Sequence, residues 1–340
     1  MDERELPPPA QMMNLLFGKA VTQAIAVMAQ LGLADYMKDD TRSSDDIART
    51  CGAHAGSVYR LLRALSVVGV VAEKEDKRFA LTPVGQCLRA DAPGTLRHLA
   101  MMVGAEWHTQ VWTRLQHSVT TGDGAFRHAY GTGIFEWFGS HRQEAAGFND
   151  AMTSFSTTTA GAVCSSYDFS PFKKIADIGG GHGYLLASIL NKAPQATGLV
   201  FDAPAVVAGA QETLTKAGVA DRSEVVGGDF FEAVPAGCDA YVMKHILHDW
   251  DDARSAMILK NCAAGLNPGG KVLVVEGVVA PPGAPSFQKL MDLEMLVMTD
   301  GGVERTEAEF ASLFASAGLR LSRVVPTPSP VQVIEGVLAH

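Results

Sequence analysis

The chain has 340 residues, 47% of them apolar, with 34 glycines, which is room and composition for two ordinary globular domains. A formal net charge of −9 gives no general electrostatic reason to expect nucleic acid as a partner. The charged, proline-rich start, Met1-Asp-Glu-Arg-Glu-Leu-Pro-Pro-Pro9, is unlike a secretion signal, and no run is expected to be apolar enough to cross a membrane.

Residues 12–38 read as helix with a break at Gly32, because apolar side chains recur from Leu15 to Leu33 with few charges between them. So apolar a surface predicts burial, against another subunit among the possibilities. Ser43-Ser-Asp-Asp-Ile47 is a good helix start, since its side-chain oxygens can cap free N–H groups. A short helix over 45–50, a turn at Gly52 and a second helix over 55–68 follow. Strands at 70–72 and 78–81 then form a hairpin about the charged turn Glu73–Lys77. Helix-turn-helix plus hairpin is a winged helix, a module that often binds DNA. Residues 1–100 carry twelve basic and twelve acidic side chains, which opposes that use.

Residues 95–160 read as helical and aromatic-rich, with Trp107, Trp112, Phe126, Tyr130, Phe135, Trp137 and Phe138 among them. Such density is either plain core or the wall of a pocket for a flat aromatic substrate. From 171 onward strands alternate with helices. Strands are predicted at 174–178, 197–202, 223–228, 240–245, 271–278, 319–326 and 331–338, and helices near 184–192, 204–217, 252–265, 286–299 and 306–317. The alternation predicts a parallel, doubly wound α/β sheet. The link 326–330 is too short for a crossover, so the last strand must be antiparallel. The five cysteines (Cys51, Cys87, Cys164, Cys238 and Cys262) show no pairing pattern, which predicts reduced thiols and a cytoplasmic protein.

The chemistry centres on Asp177-Ile-Gly-Gly-Gly-His-Gly183, placed between a strand and a helix. It is neither the Gly-x-Gly-x-x-Gly dinucleotide fingerprint nor a P-loop. An acid closing the next strand, Asp202, suits ribose hydroxyls. Phe201-Asp-Ala-Pro204, Gly228-Asp-Phe-Phe231, Lys244-His-Ile-Leu-His-Asp-Trp250 and Gly301-Gly-Val-Glu-Arg-Thr306 follow in order. Together these motifs resemble the S-adenosylmethionine-dependent small-molecule O-methyltransferases, the plant caffeate-type enzymes and bacterial tailoring enzymes of aromatic natural products.

That resemblance implies a Rossmann-like methyltransferase sheet over 166–340, a helical connector over 101–165 lining the substrate pocket, and a winged-helix dimerisation domain over 1–100. It implies a homodimer whose first helices reach into the partner's active site. Gly179 and Gly181 would lie against the methionine part of the cofactor, Asp202 would hold the ribose, and Asp229 and Phe230 the adenine. Lys244 and Ser156 match cofactor-contacting residues of the family, and Trp250 could pack on the adenine. His248 is the candidate general base, because a neutral imidazole can take the proton of an attacking phenol. Glu276 and Glu304 match acidic residues that flank the family's histidine and would orient it. His245, in an extended strand, would face away from Lys244 and the site. Transfer needs no metal, although Asp249, Asp251 and Asp252 resemble a hard-oxygen cluster of the kind a catechol-type enzyme uses. Two rivals stay open: the same fold and cofactor with a changed reaction, and a DNA-binding regulator.

Overall fold

The computed structural model describes residues 6–38 and 40–339, which form two compact units. The first holds the described residues up to Thr109 together with Gln143–Phe155, and the second holds Gln110–Arg142 and Ser156 onward.

In the first unit the N-terminal apolar stretch is three helices, Pro8–Leu16, Gly18–Gln30 and Leu33–Tyr36. The break at Gly32 is where the sequence predicts it, with φ +64° in the left-handed region that glycine tolerates. Contrary to the sequence expectation, Pro8–Gln30 is 23 residues of helix long and apolar enough, by length and composition alone, to cross a membrane. Met12, Met13, Leu15, Leu16 and Phe17 are all exposed along it.

Ser43 caps helix Ser44–Cys51 by accepting the Asp46 N–H at 3.1 Å, and Gly52 ends it in the left-handed region. Helix Ala55–Val67 follows, then strands β2 (Val71–Lys74) and β3 (Arg78–Leu81). A strand absent from the sequence reading, β1 (Arg42–Ser43), pairs with β3 to give the order β1-β3-β2. Two residues are too few to show an alternation. Met28, Leu33, Ile47, Leu62, Leu65 and Phe79 form the core of this unit.

The second unit is built on seven strands: β4 (Lys174–Ile178), β5 (Thr197–Asp202), β6 (Ser223–Gly227), β7 (Cys238–Lys244), β8 (Leu266–Glu276), β9 (Leu319–Pro326) and β10 (Gln332–Leu338). Their order is β6-β5-β4-β7-β8-β10-β9. The first five are parallel, and β10 is antiparallel to both β8 and β9. The antiparallel closing strand is as predicted, and it lies inside the sheet with β9 at the edge. β8 begins five residues earlier than the apolar run suggests, because Leu266 pairs with Cys238 across an irregularity. The predicted helix 204–217 is two pieces, Pro204–Val207 and Ala210–Lys216.

Apolar residues cover both sheet faces: Leu186, Ile189, Val200 and Val242 belong to one buried cluster, Leu199, Tyr241, Ile258 and Phe310 to the other. Burial on both faces explains the near-continuous apolar runs of the parallel strands. All five parallel strands therefore deliver their carboxyl ends to one edge, where backbone polarity and chemistry collect.

Candidate active site

Strand β4 ends in a turn that only glycine can make. Gly179 has φ +65°, and a Cβ on it would sit 2.3 Å from the Ile246 side chain. Gly181 has φ +55° and open space where its Cβ would be. Its N–H donates to Asp202 Oδ2 at 2.8 Å, and Ala203 N–H donates to Oδ1 at 2.7 Å. Two N–H donors hold the Asp202 carboxylate beside Gly181, the position in the turn with open space. A carboxylate offers about four acceptor positions, so hydroxyl groups can still bind there. Burial raises the Asp202 pKa, against the pull of these N–H groups.

Beyond β6, Asp229 caps its own turn, accepting the Phe231 N–H at 2.8 Å. Phe230 and Phe231 meet Trp250 edge-on, with centroids 6.3 and 4.8 Å away, and Phe135 lies 5.5 Å from Trp250. Asn261 Nδ2 donates to the carbonyls of Phe230 and Phe231 and fixes this aromatic corner. The other connector aromatics in this unit divide differently: Phe126, Tyr130 and Trp137 pack on one another.

Lys244 ends β7, and burial pushes its pKa down to about 8 against Asp177, Glu276 and Asp249. Asp177, buried inside β4, is pushed up to about 7 by burial, with Lys244 and the Leu186 N–H opposing. Ser156 lies within helix Arg142–Ser166, half-buried.

The turn Leu247–Asp249 carries His248, which is buried. His248 Nδ1 lies 2.7 Å from Glu304 Oε1, and Nε2 lies 3.7 Å from Asp249 Oδ1. Burial alone would lower the histidine pKa. The Asp249 charge, the Glu304 hydrogen bond and the Glu276 charge outweigh it and lift it to about 9. Burial in turn lifts Asp249 to about 6, with His248 opposing.

The two glutamates do different work. Glu304 takes the ring. Glu276, at the end of β8, takes the backbone: its Oε1 accepts N–H groups from Ile246 at 3.1 Å, Leu247 at 2.7 Å and His248 at 3.3 Å.

His245 is a correction to the sequence reading. It does not continue an extended strand onto the other face. Its φ is +54°, and its ring centroid is 4.9 Å from that of His248. Leaving the strand at Lys244 through a left-handed residue turns His245 toward the site. Burial, then the charges of Lys244 and His248, hold its pKa well below the ordinary value.

The three aspartates of the suspected cation cluster have separate tasks. Asp249 faces His248, Asp251 caps helix Asp252–Gly265 by accepting the Arg254 N–H, and Asp252 pairs with Arg305. Among the described residues no group of three or more His, Cys, Asp and Glu side chains is placed to hold a metal ion.

Arg305 lies in the Gly301–Thr306 motif, and the sequence alone gives it no role. It is 2% exposed and reaches the turn beneath His248. The signal for it was a charged residue after a double glycine, which one sequence cannot distinguish from a solvated loop.

Comparison with known proteins bears on this geometry. The family model for the O-methyltransferase domain matches residues 112–320, and that for the O-methyltransferase dimerisation domain matches residues 13–91. The chain belongs to the S-adenosylmethionine-dependent O-methyltransferases. A phenazine O-methyltransferase, PhzM, from Lysobacter antibioticus is 41% identical over 97% of this methyltransferase and 96% of its own length. The crystal structure of NcsB1, an O-methyltransferase from neocarzinostatin biosynthesis, has 34% identity and a TM-score of 0.78, covering 94% of this chain and 96% of that one. It holds S-adenosylmethionine and 2-hydroxy-5-methyl naphthoic acid. Aclacinomycin 10-hydroxylase RdmB from Streptomyces purpurascens is 32% identical over 93% of this chain and 87% of its own length.

S-adenosylmethionine is the cofactor of this methyltransferase. The residues present suit it: a glycine turn that leaves space at Gly181, a carboxylate at Asp202 and an aromatic corner at Phe230 and Trp250.

Proposed function

We propose that this methyltransferase moves a methyl group onto a hydroxyl of a flat aromatic small molecule, with His248 as general base. The observation that carries the proposal is the 2.7 Å contact between Glu304 and His248 Nδ1. In the neutral ring, which gains as pH rises toward about 9, this contact favours the proton on Nδ1 and the Nε2 lone pair for the acceptor's proton. An ordinary phenol has a pKa of about 10, so little of it is ionised at neutral pH and a base is useful. The cofactor supplies the methyl group on a positively charged sulfur. The chain's own residues bind, orient and take the proton, and positioning carries much of the rate.

In this reading Gly179, Gly181, Asp202, Asp229, Phe230, Lys244, Trp250 and Ser156 hold the cofactor. Glu304 sets the tautomer, and Glu276 holds the turn beneath it. Residues 101–165 supply acceptor contacts, with Phe135 beside Trp250 as the first candidate. The dimerisation domain and the exposed apolar side chains of the first two helices support a homodimer. The balanced charge of residues 1–100 supports protein pairing over DNA binding.

The relatives' names direct the choice of acceptors to fused-ring hydroxyarenes. The test is transfer of a labelled methyl group from S-adenosylmethionine to hydroxyphenazines, hydroxynaphthoic acids and simple phenols. Labelled methyl ether in the product supports the reading. Hydroxylated product, the reaction RdmB is named for, would overturn it.

A further inference from the structure

The turn that presents His248 is gripped from two sides, and the mechanism above accounts for only one. Glu276 holds the N–H groups. The carbonyls on the same turn go to Arg305, whose Nη1 donates to Leu247 O at 3.0 Å and whose Nη2 donates to Trp250 O at 2.9 Å. Arg305 Nε and Nη2 also donate to Asp252 Oδ1, at 3.0 and 2.8 Å. Ser255 Oγ completes the frame by donating to the same two carbonyls, at 3.1 and 3.3 Å.

The segment carrying Arg305 is itself tied to the turn. Val303 N–H donates to His248 O at 2.9 Å, and a Cβ on Gly302 would lie 2.5 Å from that oxygen. Glu304 and Arg305 are adjacent, so one short segment supplies both the partner of the ring and the clamp on its backbone.

Stability alone is a poor reason for this arrangement. Burying a guanidinium is costly, and well-packed apolar replacements of buried ion pairs are often neutral or stabilising. The fork geometry of arginine, by contrast, can satisfy two carbonyls and a carboxylate at once, which lysine cannot.

We propose that Arg305 is a positioning residue for methyl transfer: it fixes the turn Leu247–Asp249 against the segment 302–305, so that Glu304 meets Nδ1 and Nε2 faces the acceptor. The inference rests on His248 as base, and it names a residue that touches neither cofactor nor acceptor. The charged and titratable groups facing the ring are Glu304 on Nδ1, Asp249 by Nε2, His245 beside it and Glu276 beneath it.

The test compares Arg305→Met and Arg305→Lys with the parent chain. The His248 imidazole is titrated by NMR on 13C-labelled histidine without cofactor, its signal assigned by its loss in His248→Ala. Methyl transfer is measured beside binding of S-adenosylhomocysteine, which reports folded cofactor sites. Loss of positioning weakens the Glu304 contact, so the His248 midpoint should fall by about one unit or more. Transfer should fall at least about tenfold while S-adenosylhomocysteine binding stays within about threefold.

Lysine at this position should restore neither the midpoint nor the rate. A merely structural role would scale transfer with the folded fraction and leave the midpoint in place. Arg305→Lys keeps the charge and carries the test if Arg305→Met does not fold. Unchanged midpoint and unchanged transfer per binding site in either folded variant would overturn the proposal. Failure of the base reading shows separately, as an active His248→Ala.

Discussion

The sheet carries two buried carboxylate clusters, and they are satisfied in opposite ways. Toward the amino ends of the strands, Glu335 in β10 is 2% exposed, and its Oε2 accepts from Tyr167 Oη at 2.6 Å, Lys271 Nζ at 2.9 Å and Arg323 Nε at 3.1 Å. Burial would raise the Glu335 pKa, but these donors win and lower it. At the carboxyl ends, Asp249 and Glu276 are both raised by burial, and the histidine beside them is raised to about 9. One cluster is electrostatically relaxed. The other holds charge short of compensation, which is the condition a proton-transferring group requires. Only the second cluster has the charge balance that the proposed base would need.

The largest test of that difference is His248→Ala. Removing a positioned general base costs about 10²- to 10⁴-fold in rate. Labelled transfer measured beside the parent chain should fall by that much, with binding of S-adenosylhomocysteine retained. Transfer at the parent rate would show that the uncompensated charge serves something other than catalysis.

Next in size is Glu304→Gln, which keeps the shape but removes the carboxylate on Nδ1. Transfer should fall at least about tenfold. The pH profile should also move, and its sign follows from the histidine. A pKa raised to about 9 in the folded chain, from an ordinary value of about 6.5, stabilises the fold fully below pH 6.5. That stability is lost as pH rises through about 9, while the neutral, base-competent form accumulates. Without cofactor, then, stability should fall over the interval in which kcat/KM rises. In Glu304→Gln both changes should shift to lower pH, read by thermal melts and initial rates over pH 6 to 10. Melts and rates with the parent's pH dependence would remove Glu304 from the ring's electrostatics.

Much of this cluster was legible in the chain. A carboxylate ending an apolar strand, Glu276, and a histidine after the next strand inward, His248, are visible as motifs. Their partners were not, because partner choice depends on side-chain direction. The family resemblance could place Glu276 and Glu304 near His248, but not assign one to the backbone and the other to the ring. His245 was misread because an alternation rule assumes the strand continues, and a single left-handed φ ends it at Lys244. Arg305 escaped because an arginine in a glycine loop is usually solvated, and its burial is decided by carbonyls from a distant segment. Strand β1 escaped because two residues carry no periodicity. The parallel sheet and its antiparallel last strand were within reach, since parallel strands buried on both faces leave long apolar runs and the 326–330 link forbids a crossover.

Glu276→Leu separates backbone support from ring chemistry. It would leave three backbone N–H groups of residues 246–248 without their acceptor. Each buried, orphaned donor costs about 1–3 kcal/mol, so chemical denaturation should show a loss of at least that size. Full stability with abolished transfer would instead give Glu276 a direct part at the reacting atoms.

The smallest effect is expected at the relaxed cluster. Glu335→Gln removes a charge whose partners Lys271 and Arg323 are partly solvated, their side chains 29% and 56% exposed. Solvent screening limits the loss to about 1 kcal/mol. The Glu335 pKa is lowered in the folded chain, so its contribution is present above the ordinary carboxyl value and fades as pH falls through the folded one. The stability gap between parent and variant, measured by urea denaturation, should therefore be open at neutral pH and close in acid. Transfer per cofactor site should be unchanged. A rate loss there would mean that the two ends of the sheet are coupled and that charge balance at one is felt at the other.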